Sequence, residues 1–301
     1  MSETSESFDL KGYMKPRRTR VDLALKERMQ ALQKGNVPPQ LIDAMLYSLM
    51  AGGKRLRPLL CLSFAEAIAG PQNLGRVVDD AACALEMIHT YSLVHDDLPA
   101  MDNDDMRRGV PTNHKVFGEP MAVLAGDALN TDAFSLLTSG DEPCRLQLCR
   151  ELAVAAGSGG MVGGQVLDTA PDRPAEESYL LRLHRGKTGA LIRASCRMGV
   201  ISVGGSAEQL EAASLYGEAV GLAFQIADDI LDVEADASAM GKPTGADAAA
   251  GRYTFPVVVG MKRSKQMAQE LVEKAVALVA PLEGPNGPLA ALARYSVERK
   301  S

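Results

Sequence analysis

Two clusters of aspartates stand out in the sequence, each beside or within an apolar helical pattern. Residues 96–109, DDLPAMDNDDMRRG, hold five aspartates and two arginines. Residues 224–232, FQIADDILD, place Asp228 and Asp232 four residues apart, so that both would lie on one face of a helix. Neighbouring carboxylates repel one another, and burying them without a counter-charge costs several kcal/mol each. A bound divalent cation would relieve both costs.

The ligand types in these clusters indicate which ion would bind. Carboxylates alone favour a hard cation, so Mg²⁺ is expected rather than Zn²⁺. The first cluster lacks the glycine and terminal glutamate of a calcium-binding EF-hand loop. Mg²⁺ held by few protein ligands completes its shell with water and phosphate oxygens, so we expect a phosphorylated ligand. The other interpretation is a set of solvated surface aspartates.

Basic residues beside glycines indicate further anion sites. A glycine pair in residues 51–58, AGGKRLRP, would let the backbone approach an anion closely. In GKTG, residues 186–189, the spacing and preceding strand of a phosphate-binding P-loop are missing. Each of these cations could equally be a solvated surface charge. The candidates are Lys54, Arg55, Arg57, Arg107, Arg108, Lys187 and Lys242.

The two kinds of site imply two phosphate groups with different fates. A diphosphate clamped by Mg²⁺ can leave, because the metal neutralises the developing charge. A diphosphate held by lysine and arginine alone is merely anchored, with bidentate geometry available from arginine.

Helices must position these residues, because apolar residues recur at intervals of three and four from Val21 onward. Glycine and proline breaks divide the chain into roughly eight to ten helices. We predict an all-α fold with a single domain over residues 21–301. The polar residues 1–20 are predicted to form a flexible tail.

One predicted helix, residues 77–97, changes character along its length. The face that carries His89, Ser92 and Asp96 begins apolar and ends polar. A helix that lines a pocket with a charged mouth would have this pattern. A helix that emerges into solvent at its end would have it too.

Composition limits the function classes. Hydrophobic residues make up 46% of the 301 residues, enough for a sizeable core, and the net charge of -6 argues against nucleic acid as a partner. The five cysteines are odd in number and form no C-x-x-C pair, which suggests reduced thiols. Neither a signal peptide nor a membrane-spanning run is present, so we expect a cytoplasmic protein that does not enter a membrane.

Four motifs together carry a resemblance to a known family. GGKRLRP, DDLPAMDNDDMRRG, GKTGALIRA and FQIADDILD resemble, in order and spacing, those of the short-chain trans-isoprenyl diphosphate synthases, most closely the bacterial farnesyl diphosphate synthases. The resemblance runs from about Leu41 to the C-terminus. It implies an isoprenoid synthase helical bundle around a deep central cavity, a homodimer, and three Mg²⁺ ions, with Mn²⁺ as a possible substitute.

The resemblance also implies roles for individual residues. Asp96 and Asp102 would ligate two Mg²⁺ ions and Asp228 a third, with Asp97 and Asp232 behind them. For His89 the alternative to a ligand role is a satisfied core histidine. The residues expected at the allylic diphosphate are Arg107, Lys187, Thr188, Gln225 and Lys242. Those expected to hold isopentenyl diphosphate are Lys54, Arg57, His89 and Arg108. The basic C-terminal residues Arg299 and Lys300 could close the site, or could be an ordinary tail.

The implied reaction is a head-to-tail condensation by ionisation, condensation and elimination. Diphosphate leaves the allylic substrate, the double bond of isopentenyl diphosphate attacks the allylic cation, and the departing diphosphate takes up the released proton. The Thr188 and Gln225 oxygens and a backbone carbonyl near Lys187 would stabilise the cation. Together with Asp96 and Asp228, these residues form the expected catalytic set.

Product length is expected to depend on the helix before the first aspartates. Tyr91 lies five residues before Asp96, on the order of 7 Å deeper along a helix. In the family, a bulky aromatic here resembles a floor that stops elongation at farnesyl diphosphate, and Ser92 beside it is small. The alternatives are a Tyr91 packed in the core and a geranyl or geranylgeranyl product.

Two other functions remain in view. A class I terpene cyclase uses a single diphosphate and commonly lines its pocket with aromatic residues, whereas this chain has no tryptophan and 4% aromatics. A non-catalytic subunit with this fold would not need intact copies of both aspartate motifs. Diphosphate release distinguishes the three, because a synthase requires two substrates, a cyclase one, and a scaffold releases none.

Overall fold

The computed structural model describes residues 8–240 and 253–298, with the backbone alone for residues 235–240. Within these ranges the chain forms fourteen α-helices, a 3₁₀ turn, a π turn and two strands of two residues each. The predicted all-α fold class is confirmed. The helices outnumber the eight to ten expected, partly because two of them, Asn113–Phe117 and Phe255–Val259, are only five residues long.

The chain divides into two compact units, where the sequence predicts one domain over residues 21–301. The first comprises Lys11–Cys149 and Ile201–Gly204, and the second comprises the other described residues. The boundaries at residues 149/150 and 200/201 fall inside helices and not in linkers. The helices that begin in the first unit or just before it are α1 (Leu10–Gln33), α2 (Pro39–Met50), α3 (Leu56–Ala69), α4 (Arg76–Asp96), α5 (Asn113–Phe117), α6 (Glu119–Leu137) and α7 (Arg145–Ala156).

Helix α4 is the centre of the first unit. It packs against α2, α3 and α6, and its side chains are buried almost continuously from Val77 to Ile88. A helix that is apolar on every side is stable only inside a core. The packing therefore fixes the direction in which α4 delivers its polar last turn. Two short antiparallel strands, β1 (Met106–Arg107) and β2 (Val110–Pro111), follow this turn.

The second unit is built around the long helix α11, Ala207–Met240. Its residues Leu222, Ile226 and Ile230 recur every four positions and enter one apolar cluster with Phe255 and Met267. Such spacing gives a helix one buried face, which here packs along the helix Met261–Glu283. The helices are α8 (Met161–Thr169), α9 (Glu177–His184), α10 (Ala190–Ser202), α11 (Ala207–Met240), α12 (Phe255–Val259), α13 (Met261–Glu283) and α14 (Pro288–Tyr295), with a 3₁₀ turn at Pro71–Asn73 in the first unit and a π turn at Arg185–Gly189 in the second.

The flexible tail predicted over residues 1–20 is wrong from Leu10 onward, where α1 begins. The Arg17 guanidinium binds the Glu66 carboxylate at 2.7 Å, and Arg20 binds Asp79 at 2.6 Å. Met14 on the same helix is buried. Basic residues dominate this stretch and obscure the apolar spacing that would predict a helix. Each long basic side chain can nevertheless pair with a carboxylate on a neighbouring helix.

No helix in the described part of the chain is both long enough and apolar enough to cross a lipid bilayer.

Candidate active site

The first aspartate cluster is shaped by the end of α4. Asp96 is the last residue of the helix, and the Asp102 backbone amide donates to the Asp96 carbonyl at 2.8 Å. The loop therefore curls back and returns Asp102 to the helix end. Asp96 is half-buried and Asp102 is exposed. The two residues predicted as metal ligands in this unit are thus brought together.

Asp97 takes a different direction from its neighbour. It is 3% exposed, and the Arg107 guanidinium binds its two carboxylate oxygens, with Nε at 2.6 and 2.9 Å. Burial raises the pKa of the Asp97 carboxyl, and Arg107 opposes that rise. Asp97 therefore fixes Arg107, and its indirect role at a metal site stays a prediction. The contact of Arg107 with an allylic diphosphate stays a prediction.

Arg108 is aimed by a tight hairpin. Arg108 and Gly109 link the two short strands, and both have left-handed backbone, with φ of 54° and 80°. Two such residues make the turn whose twist suits a two-residue hairpin. The Arg108 guanidinium then donates to the Gly52 carbonyl. A Cβ atom on Gly53 would lie 2.7 Å from Arg108 Nη1, so glycine leaves the room that this contact needs.

Arg57 and Arg108 form a cationic group with the His89 ring, which is itself neutral. Burial lowers the pKa of His89 well below its ordinary value, and Arg57, Arg108 and Arg107 lower it further in that order. Burial also lowers the pKa of Arg57 to about 10, against the pull of Glu86, while Arg108 adds to the fall. Arg57 Nε has no hydrogen-bond partner among the described residues. Positively charged groups whose pKa is lowered by neighbouring positive charge would be stabilised by a shared anion.

Lys54 completes the predicted set for the second diphosphate. It lies on the loop just before α3, three residues before Arg57, and its side chain is exposed. The first unit thus brings together Arg57, His89 and Arg108, with Lys54 at the surface of the loop.

In the second unit, the GKTG motif forms the π turn between α9 and α10. Thr188 Oγ1 donates to Gln225 Oε1 at 2.8 Å, and Lys187 Nζ donates to Asp168 Oδ2 at 2.5 Å. A Cβ atom on Gly221 would lie 2.9 Å from Gly189 Cα, so glycine lets α11 pass close to the turn. Gln225 follows one helical turn later and so reaches Thr188. The structure therefore brings the predicted residues Thr188 and Gln225 into contact, with Lys187 next to Thr188 in the turn.

The second aspartate cluster divides by burial. Asp228 is half-buried and Asp232 is exposed, whereas Asp229 is 6% exposed and accepts the backbone N–H of Phe255 at 2.9 Å. Burial raises the pKa of Asp229 to about 7, although two hydrogen bonds, from Phe255 and Gln225, oppose it. Asp229 therefore anchors the start of α12. Asp228 and Asp232 remain the pair that shares one face of α11.

The carboxylates fit a hard cation that takes most of its ligands from elsewhere. Within the described ranges, no group of three or more histidine, cysteine or acidic side chains stands in metal-binding geometry. Pairs such as Asp96 with Asp102 suit Mg²⁺, which keeps water and phosphate oxygens in its shell. Three predicted residues, Lys242, Arg299 and Lys300, lie outside the described residues.

Sequence reasoning missed several residues that hold the site. Asp168 binds Lys187, and Glu86 binds Arg55 inside the core. No motif marks either acid, because an acid gives a local pattern only when its partner is near in sequence. Arg55 was visible as a cation of AGGKRLRP, but its inward direction was not.

Tyr91 is buried near the end of α4, and its role as a floor for the growing chain stays a prediction. It is 9% exposed, and its ring meets the His95 ring edge-on, with centroids 5.8 Å apart. Burial raises the pKa of its phenol, and Asp96 adds to the rise. The Ser92 hydroxyl donates to the His89 carbonyl within the helix at 2.9 Å. Ser92 is therefore turned toward its own backbone.

Comparison with known proteins gives a consistent result. Residues 38–280 match the family model described as polyprenyl synthetase. Geranylgeranyl pyrophosphate synthase 3, chloroplastic, from Arabidopsis thaliana is 43% identical over 98% of this chain and 82% of its own length. Farnesyl diphosphate synthase from Escherichia coli (strain K12) is 42% identical over 93% of this chain and 97% of its own. The identities are nearly equal, so they do not choose between the two products.

A solved structure agrees over almost the whole length. The apo crystal structure of an FPP/GFPP synthase from Zymomonas mobilis superposes with a TM-score of 0.82 at 36% identity, and the match covers 96% of this chain and 99% of that one.

Proposed function

Since the chain belongs to the polyprenyl synthetase family and is a short-chain trans-prenyltransferase, we propose that it condenses isopentenyl diphosphate with dimethylallyl and then geranyl diphosphate to give farnesyl diphosphate. The observation that carries the proposal is the cationic group of Arg57 and Arg108 with the neutral His89 ring, in the same unit as the carboxylate pair Asp96 and Asp102. One group suits a metal-bound diphosphate and the other suits a diphosphate held by the protein alone.

The family is a class of magnesium-dependent prenyltransferases. In this chain the proposed ligands are Asp96 and Asp102 in the first unit and Asp228 in the second, and three ions are expected, with Mn²⁺ as a possible substitute. When bound, Mg²⁺ would neutralise the charge that develops on the departing diphosphate. Lys187 and Arg107 are proposed to contact the allylic diphosphate, and Lys242 has the same proposed role.

The second substrate is proposed to be held without metal. Arg57 and Arg108 supply positive charge, and the exposed Lys54 adds another. His89 is held neutral by its lowered pKa, so it would offer a ring N–H as donor without adding a fourth charge. These groups would keep isopentenyl diphosphate still while its double bond attacks.

The cation formed in the first step needs oxygen atoms and the absence of water. Thr188 donates its proton to Gln225, so the lone pairs of the Thr188 hydroxyl are available to face positive charge. Sites of this kind must exclude water, because water would quench the carbocation. The departing diphosphate is the proposed acceptor of the proton lost in the last step.

The farnesyl product rests on Tyr91. Its buried ring on α4, one turn before Asp96, would end the space available to the growing chain. The alternative products are geranyl and geranylgeranyl diphosphate, and the similarity to a geranylgeranyl pyrophosphate synthase supports the longer of these. A terpene cyclase is disfavoured because it has no use for a second, metal-free diphosphate site.

We further propose that the chain works as a homodimer in the cytoplasm on small diphosphate substrates. The five cysteines, all within the described residues, are free thiols, which supports a reducing compartment. The Arabidopsis relative is named as chloroplastic, so compartments differ among related proteins.

One assay tests the proposal. The purified chain is incubated with Mg²⁺, isopentenyl diphosphate and either dimethylallyl or geranyl diphosphate, and both released diphosphate and product mass are measured. We expect release only when both substrates are present, with farnesyl diphosphate as the main product. Release from an allylic substrate alone would indicate a cyclase, and no release from any mixture would contradict an enzymatic role.

A further inference from the structure

Arg55 stands between two of the residues proposed to bind isopentenyl diphosphate, yet its guanidinium binds other groups of the protein. Its side chain is 2% exposed. Nε donates to Asp22 Oδ1 at 2.9 Å, Nη1 to Glu86 Oε1 at 2.6 Å, and Nη2 to the Leu49 carbonyl at 2.5 Å. The guanidinium is therefore fully engaged inside the protein and is not available to a substrate.

The backbone at this position is strained. Arg55 has φ of 52°, a left-handed conformation that is unfavourable for a residue with a side chain. It is also the residue immediately before α3. Such a conformation persists only where the surroundings hold it, and here three contacts from three different helices do so. The guanidinium thus holds the start of α3 in place.

The same contacts connect the loop to the cationic group. Glu86 and His89 lie three residues apart on α4, so they share one side of that helix. Arg57 lies in the first turn of α3, two residues after Arg55. A bond from Arg55 to Glu86 therefore fixes the distance between the element that carries Arg57 and the element that carries His89.

We propose that Arg55 is a positioning residue for the second diphosphate: its clamp on Asp22, Glu86 and the Leu49 carbonyl holds Arg57 in register with His89. The inference rests on the proposed function, because it names what the metal-free anion site needs in order to work. Arg55 touches no substrate and acts through Arg57.

Arg145 provides a matched control in the same unit. Its side chain is 6% exposed, and it also binds two carboxylates, Asp80 at 2.9 Å and Glu142. It also donates to backbone carbonyls, as Arg55 does. Arg145→Ala therefore removes a buried two-carboxylate arginine of the same kind, away from the residues proposed to bind substrate.

The experiment measures Tm, kcat and both KM values for Arg55→Ala and Arg145→Ala. We expect Arg55→Ala to raise the KM for isopentenyl diphosphate about tenfold or more, as the loss of a charged contact would, while the allylic KM changes by less than about twofold. Arg145→Ala should lower Tm comparably and leave the ratio of the two KM values unchanged. If both variants change the two KM values alike, Arg55 is merely structural and the inference fails.

Two further variants keep the test decisive. Asp22→Asn loosens the clamp at its more exposed end, and it should raise the same KM by a smaller factor even if Arg55→Ala does not fold. In an Arg57→Ala background, Arg55→Ala should add less than about twofold, because residues that act through one another are not additive. If the two substitutions instead raise the KM for isopentenyl diphosphate by independent factors that multiply, the inference is overturned. Wild-type protein that forms no product from the two substrates would instead overturn the proposed function itself.

Discussion

At the scale of single residues, neighbouring side chains of the same type have different tasks. Asp96 ends a helix and is met by Asp102, whereas Asp97 is buried against Arg107. Asp228 is half-buried, whereas Asp229 holds the backbone of Phe255. In each cluster one aspartate keeps the structure in place, so substitutions within one motif should have different consequences.

Asp96→Ala should reduce kcat by about 10²–10³, because the loss of one charge-stabilising group at the reacting centre costs ~3–4 kcal/mol. The measurement is the steady-state rate in saturating Mg²⁺ and both substrates. Asp105→Ala, an exposed carboxylate on the same loop that pairs with Lys115, serves as control and should stay near the wild-type rate. Equal rates for the two variants, or full activity in EDTA, would contradict the metal assignment.

Arg57→Ala should raise the KM for isopentenyl diphosphate much more than the KM for the allylic substrate. The lost charged hydrogen bond is worth ~1.5–3 kcal/mol, or roughly 10–150-fold. Arg18, an exposed arginine on α1, gives the control variant Arg18→Ala. A parallel rise in both KM values would show that the two diphosphates do not have separate sites.

The lowered pKa of His89 predicts a pH-dependent stability. In the unfolded chain its pKa returns to about 6.5. Below that pH the unfolded state takes up a proton that the folded state does not, since burial and the arginines keep His89 neutral. The free energy of unfolding should therefore fall with decreasing pH, by up to ~1.4 kcal/mol per pH unit from this residue.

Denaturant unfolding at about pH 7.5 and about pH 5.5 measures this contribution. Wild-type protein should lose on the order of 1 kcal/mol more than His89→Gln over that interval. Identical losses would mean that His89 titrates alike in the folded and unfolded chains.

At the scale of elements, helix α4 links product length to catalysis. Its middle is buried, Tyr91 follows, and Asp96 ends it. The helix therefore sets the distance between the metal-ligand pair and the proposed floor of the pocket. A change at Tyr91 should alter where elongation stops and leave the reacting end intact.

Tyr91→Ala should shift the product from farnesyl to geranylgeranyl or longer diphosphates, because the removed ring opens space for another five-carbon unit. Mass spectrometry of the products measures the shift. Thr90→Ala, at a buried position next to Tyr91 on the same helix, is the control and should keep the farnesyl product. A folded, active Tyr91→Ala enzyme that still stops at farnesyl diphosphate would locate the floor elsewhere.

The sequence predicts these elements unequally. The apolar spacing of Leu222, Ile226 and Ile230 is local, so the helix and its buried face could be predicted. The π turn could not be predicted, because its extra residue is stabilised by close packing with α11 and not by a local preference of the sequence GKTG. The start of α1 was hidden for a related reason, since Arg17 and Arg20 find their acids on other helices.

At the scale of the whole molecule, an acidic protein is proposed to bind two acidic substrates. The chain carries 38 acidic residues against 32 basic ones, a net charge of -6. Attraction must therefore come from local groups such as Arg57 with Arg108, and from cations bound by the aspartates. Ligand and metal should consequently depend on each other for binding.

Mg²⁺ and inorganic pyrophosphate together should raise Tm more than the sum of their separate effects. A ligand at about 100 times its Kd stabilises the native state by ~2.7 kcal/mol. Differential scanning fluorimetry with each addition alone and with both measures this, and Asp96→Ala is the control that should lose the joint effect. Strictly additive shifts in the wild-type protein would contradict metal-dependent binding of the diphosphate.

The π turn at Arg185–Gly189 has a consequence for anyone recombining this chain with a relative. One surplus residue per turn advances the helix by about 100°, so positions before and after it are out of phase by that angle. A chimaera whose junction drops one residue between His184 and Ala190 would regain a regular helix and turn Thr188 away from Gln225. Crossover points are therefore safe on either side of this segment, and within it only when both parents have equal residue counts.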